Sequence, residues 1–216
     1  MQFAAKLISY TFHPIFMPAI GFVLVMGMGV EFVPFMSQEI KSKILFYLVL
    51  PFTVYFPISY LILLRLSKNV SSFNLAIRKE RIPLFIGTLI FYVAAYVFAR
   101  SLVFVLPTIY YSMMIGGILS VFLATIITLK WKISVHAMGI SGVLGMLFAT
   151  GEHISSSFYM LPENPIFWPV ISFIFLSGAI CSSRLILKAH TPGQIYAGLI
   201  VGFFCLYLPV KFLIVL

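Results

Sequence analysis

Residues 109–129 read IYYSMMIGGILSVFLATIITL and carry no charged side chain. A helix of about 20 such residues spans the roughly 30 Å hydrocarbon core of a bilayer, because its backbone hydrogen bonds are satisfied within the helix. The rest of the chain has the same character: of its 216 residues, 62% are hydrophobic and 9% are charged. Since soluble domains carry about 25% charged residues, the sequence predicts an integral membrane protein.

Six other apolar stretches of similar length lie on either side of this one, separated by segments that contain most of the charges. They are residues 16–33, 44–64, 82–99 with an extension to 105, 133–150, 166–182 and 192–210. Residues 1–12 are interpreted as a short amphipathic segment ahead of the first stretch. We expect a single integral membrane domain over residues 1–216, an all-α polytopic membrane helix bundle with six to seven transmembrane helices.

The charge balance narrows the class of ligand. Fourteen Lys and Arg against five acids give a net charge of +9, but so few charges cannot form the continuous basic face that nucleic acids need. We therefore expect membrane lipids or an anionic substrate as partners, and no nucleic acid. All five acids are Glu, which excludes an Asp-rich magnesium site of the kind that holds prenyl diphosphates. Cys181 and Cys205 lie in apolar stretches and form neither a metal-binding nor a disulfide pattern.

Because each crossing changes the side of the membrane, the connecting segments fall at two ends of the predicted bundle. One end, here called the cation-rich end, carries ten of the fourteen Lys and Arg and consists of residues 1–12, 65–81, 130–132 and 183–190. The opposite end carries the other four and consists of residues 31–43, 100–108, 151–165 and the C-terminus.

Three short stretches at the cation-rich end combine cations, a hydroxyl group and two histidines. They read RKERIP over residues 78–83, KISVH over 132–136 and SRLILKAHTPGQ over 183–194. Guanidinium groups bind phosphate oxygens bidentately, one imidazole can attack phosphorus, and a second can protonate the leaving oxygen. The three stretches together predict a phosphate site at this end.

The third stretch resembles a known signature. Its pattern, SRxxxxxHxxxQ over residues 183–194, is similar to the SRxxxxxHxxxD signature of the type 2 phosphatidic acid phosphatase superfamily, whose members are membrane lipid-phosphate phosphatases. The SVH of residues 134–136 resembles the second signature, PSGH, and the RIP of residues 81–83 resembles the first, KxxxxxxRP. The order of the signatures and their predicted topology agree with the superfamily over residues 78–198.

The resemblance implies a metal-independent lipid phosphatase that uses no cofactor. In this interpretation His190 attacks phosphorus to give a phosphohistidine, while His136 protonates the departing alkoxide and then activates water. The side chains implied to hold the phosphoryl oxygens are Arg81, Arg184, Arg78 or Lys79, and Ser134. The implied substrates are polyprenyl diphosphates or phosphates, phosphatidate and phosphatidylglycerol phosphate.

The chain departs from the superfamily pattern at each signature. Gln194 replaces the Asp of the third, Ile133 and Val135 replace the Pro and Gly of the second, and Asn74 stands where the Lys of the first would fall. An additional residue, Ile82, separates the Arg and Pro of the first signature.

The replacement of Asp by Gln194 bears on the chemistry. Its amide oxygen can accept a hydrogen bond from His190 and fix the tautomer, but it supplies no charge to stabilise an imidazolium. We therefore expect slower chemistry, or a contribution from Glu80, the one acid at the cation-rich end. Lys79 or Lys132 could replace the missing first-signature Lys.

Several residues also have purely structural interpretations. Thr191 and Gln194 fit a capping box, with Pro192 at the first helical position, and Ser134 fits an N-cap. The cluster Arg78, Lys79 and Arg81 is also typical of a juxtamembrane basic segment, and we expect a local structural role for His13. Glycines spaced by three or four residues predict close helix packing that draws His136 and His190 together; they are Gly139, Gly142, Gly145, Gly198 and Gly202.

Two other functions and the orientation remain open at this point. The same site could transfer its phosphoryl group to a lipid or sugar acceptor, or could bind or transport a lipid phosphate without hydrolysis. Ten Lys and Arg at the cation-rich end against four at the opposite end favour a cytoplasmic site. When the five cations that are candidate site residues are left out, the count is five against four and favours neither side. Since bacterial members of the superfamily mostly face outward, the resemblance implies a site on the periplasmic face of a bacterial cytoplasmic membrane.

Overall fold

A computed structural model describes residues 1–28, 36–73, 75–102, 106–154 and 162–215. These residues form an all-α bundle, as the sequence predicted. Its helices are α1 (Gln2–Thr11), α2 (Met17–Gly27), α3 (Gln38–Ile44), α4 (Phe56–Leu66), α5 (Arg81–Arg100), α6 (Thr108–Lys130), α7 (Val135–Ile154), α8 (Phe167–Ile186) and α9 (Pro192–Lys211).

Six helical segments within the described ranges are long and apolar enough to cross a membrane. They are Gln2–Gly27, Gln38–Leu66, Arg78–Arg100, Thr108–Lys130, Phe167–Ile186 and Pro192–Lys211. The chain is therefore an integral membrane protein of polytopic type, which confirms the predicted fold class.

The first segment begins earlier than the sequence predicted. The interpretation of residues 1–12 as a separate lead-in was wrong, because α1 joins α2 through a short 3₁₀ turn, Pro14–Phe16, to form one kinked segment. Polar residues at positions 2, 6, 9, 11 and 13 give this stretch the amphipathic pattern on which the interpretation was based. Residues 29–33 of the predicted stretch lie outside the described residues.

The second segment is continuous but locally widened. Two π turns, Leu45–Val49 and Pro51–Tyr55, connect α3 to α4. Pro51 has no amide N–H to donate to the preceding turn, and such a loss is a common cause of altered hydrogen-bond spacing inside helices.

Helix α7 lies at the centre of the bundle and corresponds to the predicted stretch 133–150. It is not among the six spanning candidates, and twelve of its 20 residues are buried. The glycines on its surface allow α9 to pack closely alongside it. A Cβ atom on Gly202 of α9 would overlap the carbonyl oxygen of Met138, and one on Gly198 would lie 2.6 Å from the carbonyl oxygen of Ser134.

This packing brings the starts of α7 and α9 together, as the glycine spacing predicted. The amide of Ser134, just before α7, donates to the carbonyl oxygen of Gln194 at 3.2 Å. Gly139 differs from the prediction, since it faces Pro14 and Met17 of the N-terminal segment. The N-terminal segment is thereby held against α7 near His136.

Candidate active site

The turn between α8 and α9 presents His190 at the cation-rich end. Lys188 takes a left-handed conformation with φ 49°, which reverses the chain after α8. Thr191 is the N-cap of α9 and Pro192 occupies its first turn, as predicted. These features place His190 immediately before a helix N-terminus, and its side chain is only 7% exposed.

Gln194 holds the His190 ring through its side-chain oxygen. The Oε1 atom of Gln194 lies 2.9 Å from Nδ1 of His190, and it also accepts a hydrogen bond from the backbone N–H of Thr191 at 3.4 Å. Both expected roles of Gln194, capping and orienting, are therefore met by one atom. An oxygen acceptor at Nδ1 assigns the ring proton to Nδ1 and leaves the lone pair on Nε2.

The surroundings keep His190 neutral. Burial lowers the pKa of His190 to about 4, and the nearby cations Arg81, Lys132 and Arg184 act in the same direction. The hydrogen bond to Gln194 opposes this shift without cancelling it. Near neutral pH the Nε2 lone pair is thus available for attack on an electrophile.

Two arginines stand beside this ring, Arg81, which is buried, and Arg184, which is partly buried. Arg81 is 6% exposed, and it donates from Nε to the carbonyl oxygen of Leu75 at 2.9 Å and from a terminal nitrogen to that of Ile133 at 3.3 Å. Arg184 donates to the hydroxyl oxygen of Ser9 at 3.1 Å, and its buried Nε has no hydrogen-bond partner in the described structure. All of these acceptors are uncharged, and neither guanidinium group forms an ion pair within the described residues.

The N-terminal segment completes the site, and sequence analysis missed most of its contribution. The carbonyl oxygen of Ser9 lies 3.2 Å from Nε2 of His136, which assigns the proton to Nε2 and the lone pair to Nδ1. The ring of His13 meets that of His136 edge to face at 5.2 Å. His13 also has the local role predicted for it, because its Nδ1 accepts from the N–H of Ile15.

Other predicted phosphate ligands lie away from this group. Arg78 donates to the carbonyl oxygens of Thr128, at 2.9 Å, and Leu129, and so caps the C-terminus of α6. Lys79 is exposed. Ser134 is fully buried, and its hydroxyl accepts from the N–H of Ala137 at 3.4 Å as an N-cap of α7.

Glu80 and Lys132, which the sequence suggested as replacements for the missing Asp and Lys of the signatures, lie in different places. Glu80 accepts hydrogen bonds from the N–H and the hydroxyl of Ser71, each at 3.0 Å, and so ties down the segment before α5. Lys132 lies in the cavity that contains Arg81, Arg184 and His190. Asn74, at the position of the first-signature Lys, lies outside the described residues.

A cavity of about 850 Å³ opens among these side chains. Its polar lining is cationic or imidazole-bearing at the cation-rich end and includes Lys6, His13, Arg81, Lys132, His136, Arg184, Lys188 and His190. Of the described residues, those that line it include no acidic side chain. The ion pairs found in the described parts of the chain, Glu39 with Lys43 and Glu152 with Lys211, lie at the opposite end. An anion is the complementary ligand for such a site.

No protein-family model, curated protein or solved structure matches the chain. The class of protein is therefore defined by the fold and the site alone: an all-α polytopic membrane protein with a buried cationic cavity that holds three histidines.

Proposed function

We propose that the chain hydrolyses a phosphate monoester or diphosphate on a membrane lipid through a phosphohistidine intermediate on His190. The observation that carries this proposal is the pairing of His190 Nδ1 with Gln194 Oε1 at 2.9 Å, beside Arg81 and Arg184 in a cavity whose described lining includes no acidic side chain. This arrangement combines a neutral nitrogen nucleophile with charges that stabilise a phosphoryl group in its transition state.

The first step forms a bond between Nε2 of His190 and phosphorus while the bond from phosphorus to the lipid oxygen breaks. The guanidinium groups of Arg81 and Arg184 hold the phosphoryl oxygens, so that positioning and charge stabilisation need no metal ion. In the free protein burial and the charge of Arg184 hold the pKa of His136 far below its usual range, so His136 is neutral there. The bound phosphate dianion favours the cationic ring, so His136 takes up a proton at Nδ1 when the substrate binds. It then gives this proton to the departing oxygen, because its Nε2 proton is bound to the carbonyl oxygen of Ser9.

The second step releases inorganic phosphate. The same Nδ1 of His136, now neutral, takes a proton from a water molecule, whose oxygen attacks phosphorus as the bond to His190 breaks. The electron pair of that bond returns to Nε2, and the site regains its starting protonation state. Gln194 orients His190 throughout but adds no negative charge, so we expect modest turnover.

The substrate class follows from the position of the site in a membrane bundle. Polyprenyl diphosphate or phosphate, phosphatidate and phosphatidylglycerol phosphate each combine a phosphate head with an apolar tail. We further propose a bacterial cytoplasmic membrane as the location, with the cation-rich end on the periplasmic face.

A second candidate is a lipid-phosphate binder or transporter that does not hydrolyse its ligand. It is favoured by one observation: the orienting atom at His190 is a neutral amide oxygen that also serves the helix cap. This candidate keeps the cationic cavity and predicts binding without phosphate release.

The test is phosphate release by the purified protein in lipid nanodiscs from a panel of lipid phosphates and diphosphates, with a metal chelator present. We expect release that resists the chelator and disappears in His190→Ala. His153→Ala, at the opposite end of the bundle, is the matched control and should retain activity. Absence of release from every substrate, with binding intact, would favour the second candidate, while release only with an added acceptor would reveal a phosphotransferase.

A further inference from the structure

The apolar part of the cavity extends from the cation-rich end far into the bundle. On α5 its lining includes Leu84, Thr88, Tyr92 and Ala95, which follow one face of the helix at intervals of three or four. On α6 the lining runs in the opposite direction from Ala124 to Tyr110. The cavity therefore lies along the length of these two neighbouring helices.

The depth of the cavity exceeds one leaflet of a membrane. Residues 81 to 95 of α5 line it, and at 1.5 Å per residue they span roughly 21 Å. One leaflet contributes only about 15 Å, half of a hydrocarbon core of about 30 Å. A tail that enters beside Arg81 would thus pass the middle of the bilayer before it reached Ala95.

Aromatic side chains close the deep end. Tyr110 is 1% exposed, and its ring centroid lies 4.9 Å from that of Phe22 on α2. The Tyr110 hydroxyl is buried and has no hydrogen-bond partner in the described structure. The neighbouring pair Tyr96 and Tyr111, with ring centroids 5.9 Å apart, places Ala95 and Tyr110 at the same level of the bundle.

The lining between the two ends suits a hydrocarbon occupant. Thioether side chains from three helices contribute to it, and such flexible, polarizable groups adapt to irregular apolar shapes; they are Met17, Met113, Met114, Met138 and Met146. The charged side chains that line the cavity lie at the cation-rich end, and the hydroxyl groups of Thr53 and Thr88 farther in donate to carbonyl oxygens of their own helical segments.

We propose that this cavity takes the hydrocarbon tail of a phosphate amphiphile end-on and that Tyr110 limits the length of the tail. The head lies between Arg81, Arg184 and His190, and the tail end reaches the floor formed by Tyr110 and Phe22. This inference rests on the proposed function, because the phosphate site anchors the head of the same molecule.

The test compares straight-chain alkyl phosphates of increasing length as substrates, and the matching non-hydrolysable alkylphosphonates as ligands, in nanodiscs. Tyr110→Ala should extend the series of accepted tails, with kcat/KM for the first excluded lengths raised about tenfold when two more methylenes are buried. Ala95→Leu should shorten the series. Phe122→Ala, on the exposed face of α6, is the matched control and should leave it unchanged.

The outcomes separate this inference from the proposed function. Chain-length limits that move in opposite directions in Tyr110→Ala and Ala95→Leu support it, even if they are seen only in phosphonate binding and no phosphate is released. Hydrolysis with a length profile that neither variant alters would overturn it while leaving the proposed function in place. A change in the accepted tail lengths in Phe122→Ala would also overturn the inference, because the tail would then lie outside the bundle.

Discussion

The side-chain oxygen of Gln194 lies 2.9 Å from Nδ1 of His190, one helical turn earlier in the chain. The same oxygen receives the N–H of Thr191, so the start of α9 and the orientation of His190 depend on one amide group. A neutral acceptor fixes the tautomer of the ring but leaves a developing imidazolium without a counter-charge.

Gln194→Glu should raise turnover. The substitution keeps the length of the side chain and the capping box, and it adds a negative charge beside Nδ1. We expect kcat to rise about tenfold or more, because in a serine-protease triad the reverse change from carboxylate to amide costs about 10⁴. Steady-state phosphate release would measure it. Gln38→Glu adds the same charge at the exposed start of α3 and should change nothing; an equal rise in both variants would contradict the account.

The fall of kcat/KM on the acid side of its pH profile should occur at an unusually low pH. Because the pKa of His190 is lowered to about 4, the nucleophile stays neutral until the pH approaches that value. We expect kcat/KM to fall as His190 protonates near pH 4, and not near the ordinary histidine pKa of about 6.5. Lys132→Gln removes one nearby cation and should move this fall to higher pH. A fall that Lys132→Gln leaves in place, or moves to lower pH, would contradict this assignment.

The free energy of unfolding should also depend on the protonation of His190. The folded state lowers the pKa of His190 from 6.5 to about 4, so the unfolded chain binds this proton first as the pH falls. The contribution of neutral His190 to stability is present above pH 6.5 and is lost progressively between pH 6.5 and 4. Thermal unfolding of the wild type and His190→Gln across this window should show a smaller pH dependence in the variant.

Arg81 and Arg78 should have separable roles although they are three residues apart. Arg81→Lys keeps the charge but loses the planar fork that binds phosphate bidentately, so KM should rise about tenfold. Arg78→Ala removes the cap on the carbonyl oxygens of Thr128 and Leu129, so the melting temperature should fall while KM stays near the wild-type value. A KM for Arg78→Ala as high as that of Arg81→Lys would place Arg78 in the site instead.

Close packing of α7 on α9 should be sensitive to a single methyl group. Gly202→Ala introduces a Cβ into the space of the Met138 carbonyl oxygen and should destabilise the protein by about 1–3 kcal/mol, the usual cost of overpacking. Gly178→Ala is the matched control, since nothing lies within 4 Å of its added Cβ. Reversible unfolding in detergent would compare the two, and equal losses would contradict the packing described.

Sequence patterns predicted the parts of the molecule that depend on local chemistry. Charge-free stretches of about 20 residues located the helices, because a bilayer core requires them. The start of α9 was predictable from Thr191 and Pro192, and the contact between His190 and Gln194 was implied by the resemblance of residues 183–194 to the SRxxxxxHxxxD signature.

The remaining parts depend on tertiary contacts that no local pattern encodes. Ser9 reaches Arg184 and His136 because α1 packs against α8 beside the start of α7. Its spacing of four from His13 was the one available signal. The separation of Arg78 from Arg81 likewise depends on the short 3₁₀ turn Arg78–Glu80, which directs Arg78 toward the end of α6.

The most direct test of the central claim is to trap the covalent intermediate. The protein would be mixed with a substrate carrying labelled phosphate, quenched within one turnover in alkali, and analysed by peptide mass spectrometry. Phosphohistidine chemistry predicts a phosphoryl group on His190 that is stable to alkali, is lost in acid, and is absent from His190→Ala but present in His153→Ala. Turnover that proceeds without any label on His190, or that survives in His190→Ala, would contradict it.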